Sequence, residues 1–568
     1  MSTIDWAVLL ITLAGIVAWG VWKGRGQKNI EGYLLADKAL PWYHVGLSVM
    51  ATQASAITFL SAPGLAFSKG MGFVQFYFGL PLAMIVLCIT FVPIFHKLNV
   101  YTAYEYLEGR FDIRTRSLTA GLFLIQRGVS TGITIYAPSI VLSTILGVDI
   151  TYTTLILGVL VICYITWGGA KAASYTQLLQ MLIIFSGLIV AAVLLIKMLP
   201  EDVGVVKALH LAGTMGRINA IDTSLDFNNR YNIWSGIIGG FFLQLSYFGT
   251  DQSQVGRYLT GASVKQSRLG LVMNGLVKIP MQAFILFIGV LVFAFYQFQR
   301  PPLFFNPVEV AKVKASPLAP QYAQVEAQFN ALYGQKAAQI QQYNAALDRN
   351  DGPVAALVGQ QLLAGEDAAT ALKKQGTDIM KQANKSADTD DTNYVFLGFV
   401  TNYLPVGMIG LLMAVIFLAS MGSTASGLNS LASTTVVDVY KRLIHKKGTD
   451  TEYLAASRWA TAGWGVFCVL VALWASKLGN LIEAVNILGS LFYGTILGIF
   501  VVAFYLKKVG GTAVFWGAVV AEICVVAIWL SDIMAFLWLN VVGCVLVMIF
   551  AMLFQVFGRQ PAKNPKLP

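Results

Sequence analysis

Apolar residues recur along the chain in thirteen runs, each long enough to cross a bilayer, since about 20 helical residues span the hydrocarbon core. Short polar segments separate most of these runs. The pattern predicts an all-α polytopic membrane protein with about thirteen transmembrane helices. The runs cover approximately residues 5–22, 42–66, 72–96, 117–146, 150–168, 173–198, 232–252, 268–297, 395–440, 455–475, 479–505, 511–530 and 533–557.

The ninth run becomes polar within what should be one helix. Residues 411–442 begin as an apolar span and continue with Ser420, Ser423, Thr424, Ser426, Asn429, Ser430, Ser433, Thr434 and Thr435. Hydrocarbon offers these groups no hydrogen-bond partner, so this face must contact protein, water or a bound ion. Two interpretations are open. Either the small residues allow close helix packing, or the hydroxyls belong to a cation site that carbonyl oxygens from another helix complete.

Two other spans have interrupted patterns. The second is polar over residues 52–61 and then carries Pro63 and Gly64, which predicts an unwound middle with free carbonyls; a proline-kinked helix is the alternative. The seventh carries a glycine cluster at 236–240 and then Asp251. With the first span set aside, the two interruptions occupy corresponding positions in two halves of five helices. Such pairs indicate a transporter binding site at the membrane midplane.

Composition and charge agree with a membrane protein. The chain is 57% hydrophobic, with a mean hydropathy of +0.67, which excludes an ordinary soluble domain. An external N-terminus places most loop Lys and Arg, Arg257 among them, in the cytoplasm, and the C-terminus inside. The net charge of +11 reflects this bias and does not require nucleic acid. We expect a multi-pass protein of the cell's inner (plasma) membrane, with a first span that is retained.

Residues 298–393 differ from the rest because Ala, Gln, Lys and Glu dominate and residues 348–352 form a strong break. We predict an extracytoplasmic insertion of two or three amphipathic helices. A lid, a module that binds a protein partner and a spacer are all open as its role. The insertion separates an extra helix and loop (1–40) and core helices 1–7 (41–297) from core helices 8–10 (394–508) and two peripheral spans with a short tail (509–568).

Ionisable residues inside the spans provide further candidates. Lys278 lies in the eighth span, where a charge costs about 2.5–3.5 kcal/mol on insertion scales; it either reaches the near interface or takes part in the site. The four histidines lie near span ends without mutual spacing, and the five cysteines lie inside spans without a CxxC motif. We therefore expect neither an enzyme nor a disulfide framework.

Several motifs resemble the sodium/solute symporter family, which carries sugars, vitamins, monocarboxylates, iodide, proline and sialic acid. They are the second span, YTAYEYLEGRF, WGGAKAASYTQ, GTDQSQVGRYL and SMGSTASGLNSLASTTVVDVYKR. The resemblance covers about residues 30–505 without the insertion. It implies a LeuT-like core of five plus five inverted-repeat helices in a lipid bilayer, coupling to Na⁺, and alternating access. A membrane sensor on the same core is a rival, although the sequence shows no output domain after the last span.

The resemblance also implies a sodium site. Its ligands would be the carbonyls of Ala51, Ala54 and Ala419 and hydroxyls at positions 422 and 423. Position 422 is glycine here, so Ser423 supplies the only hydroxyl of that pair. Ser426, Ser420 or a water would complete the shell, with weaker or less selective sodium binding as a consequence.

Some family members have a second sodium site, which corresponds here to Gln177, Gly422, Ala425 and Ser426. The family's aspartate is Gln177 in this chain, and Gly422 and Ala425 lack hydroxyls. A neutral amide brings an oxygen but no charge to a hard cation. We therefore predict a degenerate second site and one Na⁺ per substrate.

The substrate is less sharply indicated. Positions that resemble those holding sugar in the sugar-carrying branch are Thr58, Phe76, Tyr77, Gln244, Tyr247, Lys278 and Asn486. Several of them differ from that branch, and TAYEYLEGRF and GITIYAPSIVL look closer to the iodide, vitamin and monocarboxylate branch. We expect a small polar organic solute, with a sugar or polyol ahead of a carboxylate that Lys278 would neutralise. Tyr247 resembles the aromatic gate beneath the substrate; an ordinary packed tyrosine is the alternative.

Overall fold

The computed structural model describes residues 1–24, 38–98 and 100–557. These residues are predominantly helical, and their only β-pairing is an isolated bridge between Leu40 and Gly261. The helices before the insertion are α1 (Thr3–Gly24), α2 (Trp42–Gln53), α3 (Ala56–Lys69), α4 (Met71–Leu98), α5 (Glu105–Arg110), α6 (Ile113–Leu146), α7 (Ile150–Lys197), α8 (Gly204–Thr214), α9 (Gly240–Thr250), α10 (Gln252–Tyr258) and α11 (Val264–Phe298).

The insertion and the second half follow. Three helices occupy the insertion: α12 (Pro307–Lys314), α13 (Ala319–Asp348) and α14 (Gly352–Ala383). The helices after it are α15 (Val395–Tyr403), α16 (Met408–Ile444), α17 (Asp450–Trp474), α18 (Leu481–Tyr505), α19 (Gly511–Leu530) and α20 (Phe536–Phe557).

The helices pack in two groups. Helix α11 packs along α2, α3 and α4, and α4 also contacts α9. In the second group α6, α7, α16 and α17 pack against one another, while α18 contacts both α6 and α9. The site described below lies where α2, α3 and α9 of the first group face α6 and α16 of the second.

Both interrupted spans are broken in the structure. Helices α2 and α3 meet at an angle of 60° across Ala54 and Ser55, and α9 gives way to α10 at Asp251. The predicted unwound middle of the second span is therefore confirmed. Pro63 lies inside α3, so the break occurs at the polar residues and not at the proline.

Two predicted span boundaries were wrong. The ninth span was expected to begin near residue 395, but α16 begins at Met408, because Leu404 before Pro405 is extended and Gly407 has a φ of 89°. A turn was expected at Gly168 and Gly169, whereas α7 continues as one helix. Two isolated glycines weaken a helix by about 1 kcal/mol each, which its other residues can offset.

The exact number of spans and the positions of the termini stay predictions. Within the described ranges, nine helices are long and apolar enough to cross a membrane, and the bent pair α2–α3 makes up to ten. The seventh run is divided by its break into shorter helices, while residues Thr3–Ile16 and Ile150–Cys163 are shorter apolar helices.

The insertion packs on itself and is tied to the core at its C-terminal end. Its helices bury a small cluster of their own, formed by Leu303, Phe304, Val313, Tyr322, Val325, Phe329, Ala369 and Met380. At its last residue, the Asn393 carboxamide accepts from Ser61 Oγ of α3 at 2.7 Å and donates to the Gly479 carbonyl, before α18, at 3.1 Å. One side chain therefore links the insertion's base to two helices that flank the site. The domain limits given above stay a prediction.

Candidate functional site

A cavity of about 90 Å³ lies beside the break between α2 and α3. The two broken spans, α4, α6, α16 and α18 all contribute to its wall. Its lining is mostly polar: Thr52, Gln53, Ser55, Thr58, Tyr77, Arg127, Ser130, Thr131, Thr134, Tyr247, Ser423, Asn486 and Tyr493, with Ile57, Leu243, Ile482 and Val485 as the apolar part.

The residues that resemble sugar-binding positions divide into two sets. Four of them line the cavity: Thr58, Tyr77, Tyr247 and Asn486. Phe76, Gln244 and Lys278 are buried but are not part of the lining. Their assignment to a substrate stays a prediction, and the structure brings only the first set to one surface.

Lys278 does not reach the membrane interface. Its side chain is 0% exposed, and its ammonium lies 5.8 Å from the ring centroid of Tyr77, which lines the cavity. The Lys278 Nζ and both polar side-chain atoms of Gln244 have no hydrogen-bond partner among the described residues. Because buried polar groups are normally paired, these groups remain available to a ligand or to water.

The floor of the cavity contains a buried ion pair that the sequence analysis missed. The Arg127 guanidinium on α6 pairs through Nη2 with Asp251, at the break between α9 and α10. The hydroxyl of Tyr493 donates to the same carboxylate at 2.9 Å. The Tyr247 ring lies 5.5 Å from the guanidinium, and Gln254 donates to the Tyr247 hydroxyl at 2.7 Å. The pair thus ties the broken span α9–α10 to α6 and α18.

The break of the second span frees the carbonyls of the proposed sodium site. In a continuous helix the amide of Ser55 would donate to the Ala51 carbonyl and that of Thr58 to the Ala54 carbonyl. Here Ser55 donates to the Gln53 carbonyl at 3.0 Å, and Thr58 donates to the Ser55 carbonyl at 2.9 Å. The Ala51 and Ala54 carbonyls have therefore lost their usual helical donors, as a cation site requires.

The ligands expected from α16 lie on the facing helix. The hydroxyl of Ser423 lines the cavity, and its single proton is shared between the carbonyls of Ala419 and Ser420, at 2.9 and 3.1 Å. Both of its lone pairs are therefore open to a cation. One turn further on, Ser426 Oγ lies 3.2 Å from Thr52 Oγ1 of α2. Helices α2 and α16 are thus in direct polar contact beside the proposed ligands.

At the position of the second sodium site, the polar groups hydrogen-bond to one another. The Gln177 amide nitrogen donates to the Gly422 carbonyl at 3.2 Å, and Ser48 donates to the Gln177 oxygen at 2.7 Å. A Cβ on Gly422 would lie 2.5 Å from Gln180 Oε1, so the glycine makes room for that side chain. Ala425 is buried nearby. The degenerate second site stays a prediction, and these contacts favour it.

Ser426 has a partner that the sequence did not indicate. Its Oγ accepts from Arg257 Nε on α10 at 2.9 Å. The arginine was assigned to a cytoplasmic loop on charge bias alone, yet it is only 3% exposed. The role of Ser426 as a sodium ligand stays a prediction, and any sodium there would share its oxygen with a guanidinium.

Next to the cavity, Glu483 joins three elements. Its carboxylate pairs with Lys69 at the end of α3 and with Arg230 before α9, at 3.2 and 3.0 Å. The hydroxyl of Tyr231 donates to it at 3.0 Å. Glu483 follows Ile482, which lines the cavity. The cluster therefore holds both broken spans against α18 on that side.

A search with family models decides the classification. The sodium:solute symporter family model matches residues 33–318 and 375–521, which leaves out most of the insertion. The chain belongs to the sodium:solute symporter family. Na⁺ is therefore its coupling ion, and it is a multi-pass protein of the plasma membrane.

Several relatives support the family assignment. The sodium/sialic acid symporter SiaT of Proteus mirabilis is 25% identical over 561 residues, which are 96% of this chain and 93% of that protein. The sodium/iodide cotransporter of Homo sapiens is 32% identical over 296 residues, which are 51% of this chain but only 45% of that relative. Sodium-coupled monocarboxylate transporter 1 of Homo sapiens is 32% identical over 268 residues, 47% of this chain and 43% of that protein.

A solved structure shows the fold. A Na⁺-coupled sialic acid symporter, in a substrate-bound outward-open state, superimposes with a TM-score of 0.76 over 99% of both chains, at 22% identity. The chain therefore has the LeuT-like fold that its sequence motifs implied.

Proposed function

We propose that this symporter imports a small organic anion together with one Na⁺ by alternating access. The observation that carries the anion is Arg127. Its guanidinium lines the cavity, but Asp251 and Tyr493 engage only Nη2. Nε has no partner among the described residues. A carboxylate can bind a guanidinium through two parallel hydrogen bonds, so the remaining edge suits an anionic solute.

The names of the relatives agree with this class. Sialic acid, iodide and the monocarboxylates are anions, and each names the substrate of a relative. The cavity is small, at about 90 Å³, which favours a compact carboxylate. The hydroxyls of Ser130, Thr131 and Thr134 on α6 would bind its polar remainder.

A sugar or polyol is the second candidate. The hydroxyl-rich lining and Asn486 offer donors and acceptors suited to neutral hydroxyl groups. The unpartnered atoms of Lys278 and Gln244 would add to them if Tyr77 moved. In that case Arg127 and Asp251 would act as a neutral pair and hold the floor.

The proposed coupling follows from where the sodium ligands lie. The Ala51 and Ala54 carbonyls come from the break of the first group, while Ala419 and Ser423 belong to α16 of the second group. A sodium that binds both stabilises the state in which α2 and α16 are joined, which provides the differential affinity that coupling requires. Release of sodium into the cytoplasm would then let the helices separate, with Tyr247 as the inner gate.

Charge movement distinguishes the two substrate classes. One Na⁺ with a monovalent anion moves no net charge, so a membrane potential would not drive accumulation. One Na⁺ with a neutral sugar moves one charge, and 100 mV then contributes about 2.3 kcal/mol, or roughly a fifty-fold gradient.

The test is uptake into proteoliposomes of carboxylates, sugars and polyols, with Na⁺, Li⁺ or choline outside and a potassium diffusion potential imposed. We expect Na⁺-dependent uptake of a carboxylate with a sodium Hill coefficient near one and little effect of voltage. Uptake of a sugar that doubles or more with voltage would favour the second candidate. Equal uptake in choline would refute sodium coupling.

Ser423→Ala tests the sodium site directly. Loss of a bond to a charged group costs about 1.5–3 kcal/mol, so the sodium concentration for half-maximal uptake should rise about tenfold or more. Ser457→Ala is the matched control, because Ser457 is a buried serine on α17 whose hydroxyl, within the described ranges, bonds only to the Tyr453 carbonyl. An unchanged sodium dependence in Ser423→Ala would place the site elsewhere.

A further inference from the structure

Arg257 is a buried cation without a counter-ion. Its guanidinium is 3% exposed, and no carboxylate forms an ion pair with it within residues 1–24, 38–98 and 100–557. Its one hydrogen bond to another described group goes to the neutral Ser426 hydroxyl. An isolated buried charge is costly unless it is paired, so something must compensate Arg257.

The other buried arginines are each compensated by carboxylates or by backbone carbonyls. Arg116 pairs with Glu108 and Asp438, and Arg127 pairs with Asp251. Arg110 donates to a cluster of backbone carbonyls that includes Ala503 and Lys507. Asp251 lies six positions before Arg257, but it is already bound to Arg127. Arg257 is therefore the exception.

A small cleft lies directly against this guanidinium. Its volume is about 10 Å³, close to the smallest space that holds one water, so a chloride would need the cleft's polar side chains to move slightly outward. Its polar lining consists of Gln252, Ser253, Arg257, Ser426, Asn429, Ser430 and Ser433, with no acidic residue. The cleft is separate from the substrate cavity, which none of these residues lines.

The donors left in the cleft suit an anion. The hydroxyls of Ser430 and Ser433 donate to carbonyls of their own helix at 2.7 and 3.0 Å, and the Gln252 amide donates to the Tyr101 carbonyl. The remaining N–H groups of Arg257 and the amide of Asn429 have no such partner among the residues that the structure describes. A cation would be repelled by the guanidinium, and a water would leave its charge uncompensated.

We propose that this cleft binds one chloride-sized anion, held by the guanidinium of Arg257 and the amide of Asn429. The anion neutralises the buried arginine at the contact between α10 and α16. It thereby stabilises the state in which the inner half of the second broken span is joined to the helix that carries Ser423. Chloride would then support sodium-coupled transport without being consumed.

The test compares thermal unfolding of the full chain in detergent, without solute, in NaCl and in sodium gluconate at equal sodium. Chloride should raise the melting temperature in a saturable manner, because a ligand at ten times its dissociation constant raises the folded-to-unfolded ratio about elevenfold. In crystals grown with bromide, an anomalous peak should lie beside the Arg257 guanidinium.

Two variants and a control make the result specific. Arg257→Gln removes the charge and should abolish the chloride effect. Asn429→Asp places a carboxylate beside Arg257, so it should keep the stability of the parent protein and remove the effect of chloride on the melting temperature. This variant tests the proposal if Arg257→Gln does not fold. Lys265→Gln removes an exposed charge nearby and should keep the full chloride effect.

Three results would overturn the proposal. The first is equal melting of the parent protein in chloride and gluconate. The second is a chloride effect that persists in Asn429→Asp or in folded Arg257→Gln, which would assign it to another cation such as Arg127. The third is a cleft that holds only water in the bromide crystals. Each concerns binding without solute, so none depends on which solute is transported.

Discussion

The ion pair between Arg127 and Asp251 allows a quantitative test of how the cavity floor is held. The carboxylate is 0% exposed and the arginine side chain 11% exposed, so solvent screens the pair little. Removing one partner of a buried pair costs about 3–5 kcal/mol, because the other charge stays buried. We therefore expect both single substitutions to destabilise the protein severely, and by different amounts.

The two substitutions should differ in cost because each leaves the remaining charge with different hydrogen-bond partners. In Arg127→Gln, Asp251 keeps the Tyr493 hydroxyl at 2.9 Å and the Ser253 amide and hydroxyl at 2.8 and 2.6 Å. In Asp251→Asn, Arg127 retains as a partner mainly the Tyr493 hydroxyl at 3.3 Å. Asp251→Asn should therefore cost about 5 kcal/mol and Arg127→Gln about 3. The double variant should cost at least about 2 kcal/mol less than the sum.

The assay is equilibrium unfolding in mixed micelles, with the four proteins measured side by side. Arg114→Gln, at an exposed arginine of the same helix, should change stability by no more than about 0.5 kcal/mol. Single effects below about 1 kcal/mol that simply add in the double variant would refute a structural role for the pair. A larger loss of stability in Arg127→Gln than in Asp251→Asn would show that the remaining hydrogen-bond partners do not set the two costs.

Two further predictions concern the insertion and the helix packed against its base. Gly64→Ala places a Cβ 1.8 Å from the Thr392 carbonyl, so it should lower stability by about 3 kcal/mol or more, while Gly72→Ala, with open space around it, should be nearly neutral by melting temperature. Burial raises the pKa of Asp388 to about 7 from its usual 3.8. Its contribution to stability is complete below about pH 3.8 and is lost as the pH rises through 7. Asp388→Asn should therefore flatten the melting temperature between pH 5.5 and 8.5, whereas exposed Asp367→Asn should retain the fall; an equal slope in both would assign the pH dependence elsewhere.

The features that the sequence predicted are local ones. Hydrophobic run lengths identify helices, and polar or glycine-rich interruptions identify the breaks at Ser55 and Asp251, because each depends on residues close in the chain. The freed Ala51 and Ala54 carbonyls follow directly from the first break. The alternative, a helix kinked at Pro63, was wrong, since a proline one turn or more inside a packed helix can be tolerated.

The features that the sequence did not predict depend on distant pairs or on depth. Arg127 and Asp251 are 124 positions apart, and neither local sequence indicates that the two residues pair. A charge in the middle of each span was nevertheless a usable signal. Arg257 was placed by loop charge bias, which counts residues near span ends and cannot measure burial. Lys278 had two open interpretations, and only its coordinates exclude the interface.

Asn393 couples the insertion to the helices beside the cavity. Because this one carboxamide holds α3 on one side and the residue before α18 on the other, the helices cannot part on that face without disturbing the peptide on which the insertion ends. The hairpin α13–α14 is also held at its other end, because the Tyr343 hydroxyl lies within hydrogen-bond distance of His210 and Thr214 on α8, and Lys207 of α8 pairs with Asp348. A separation of α3 from α18 would therefore shift one end of the insertion relative to α8, and a fluorophore near residue 350 would report that shift without touching the cavity.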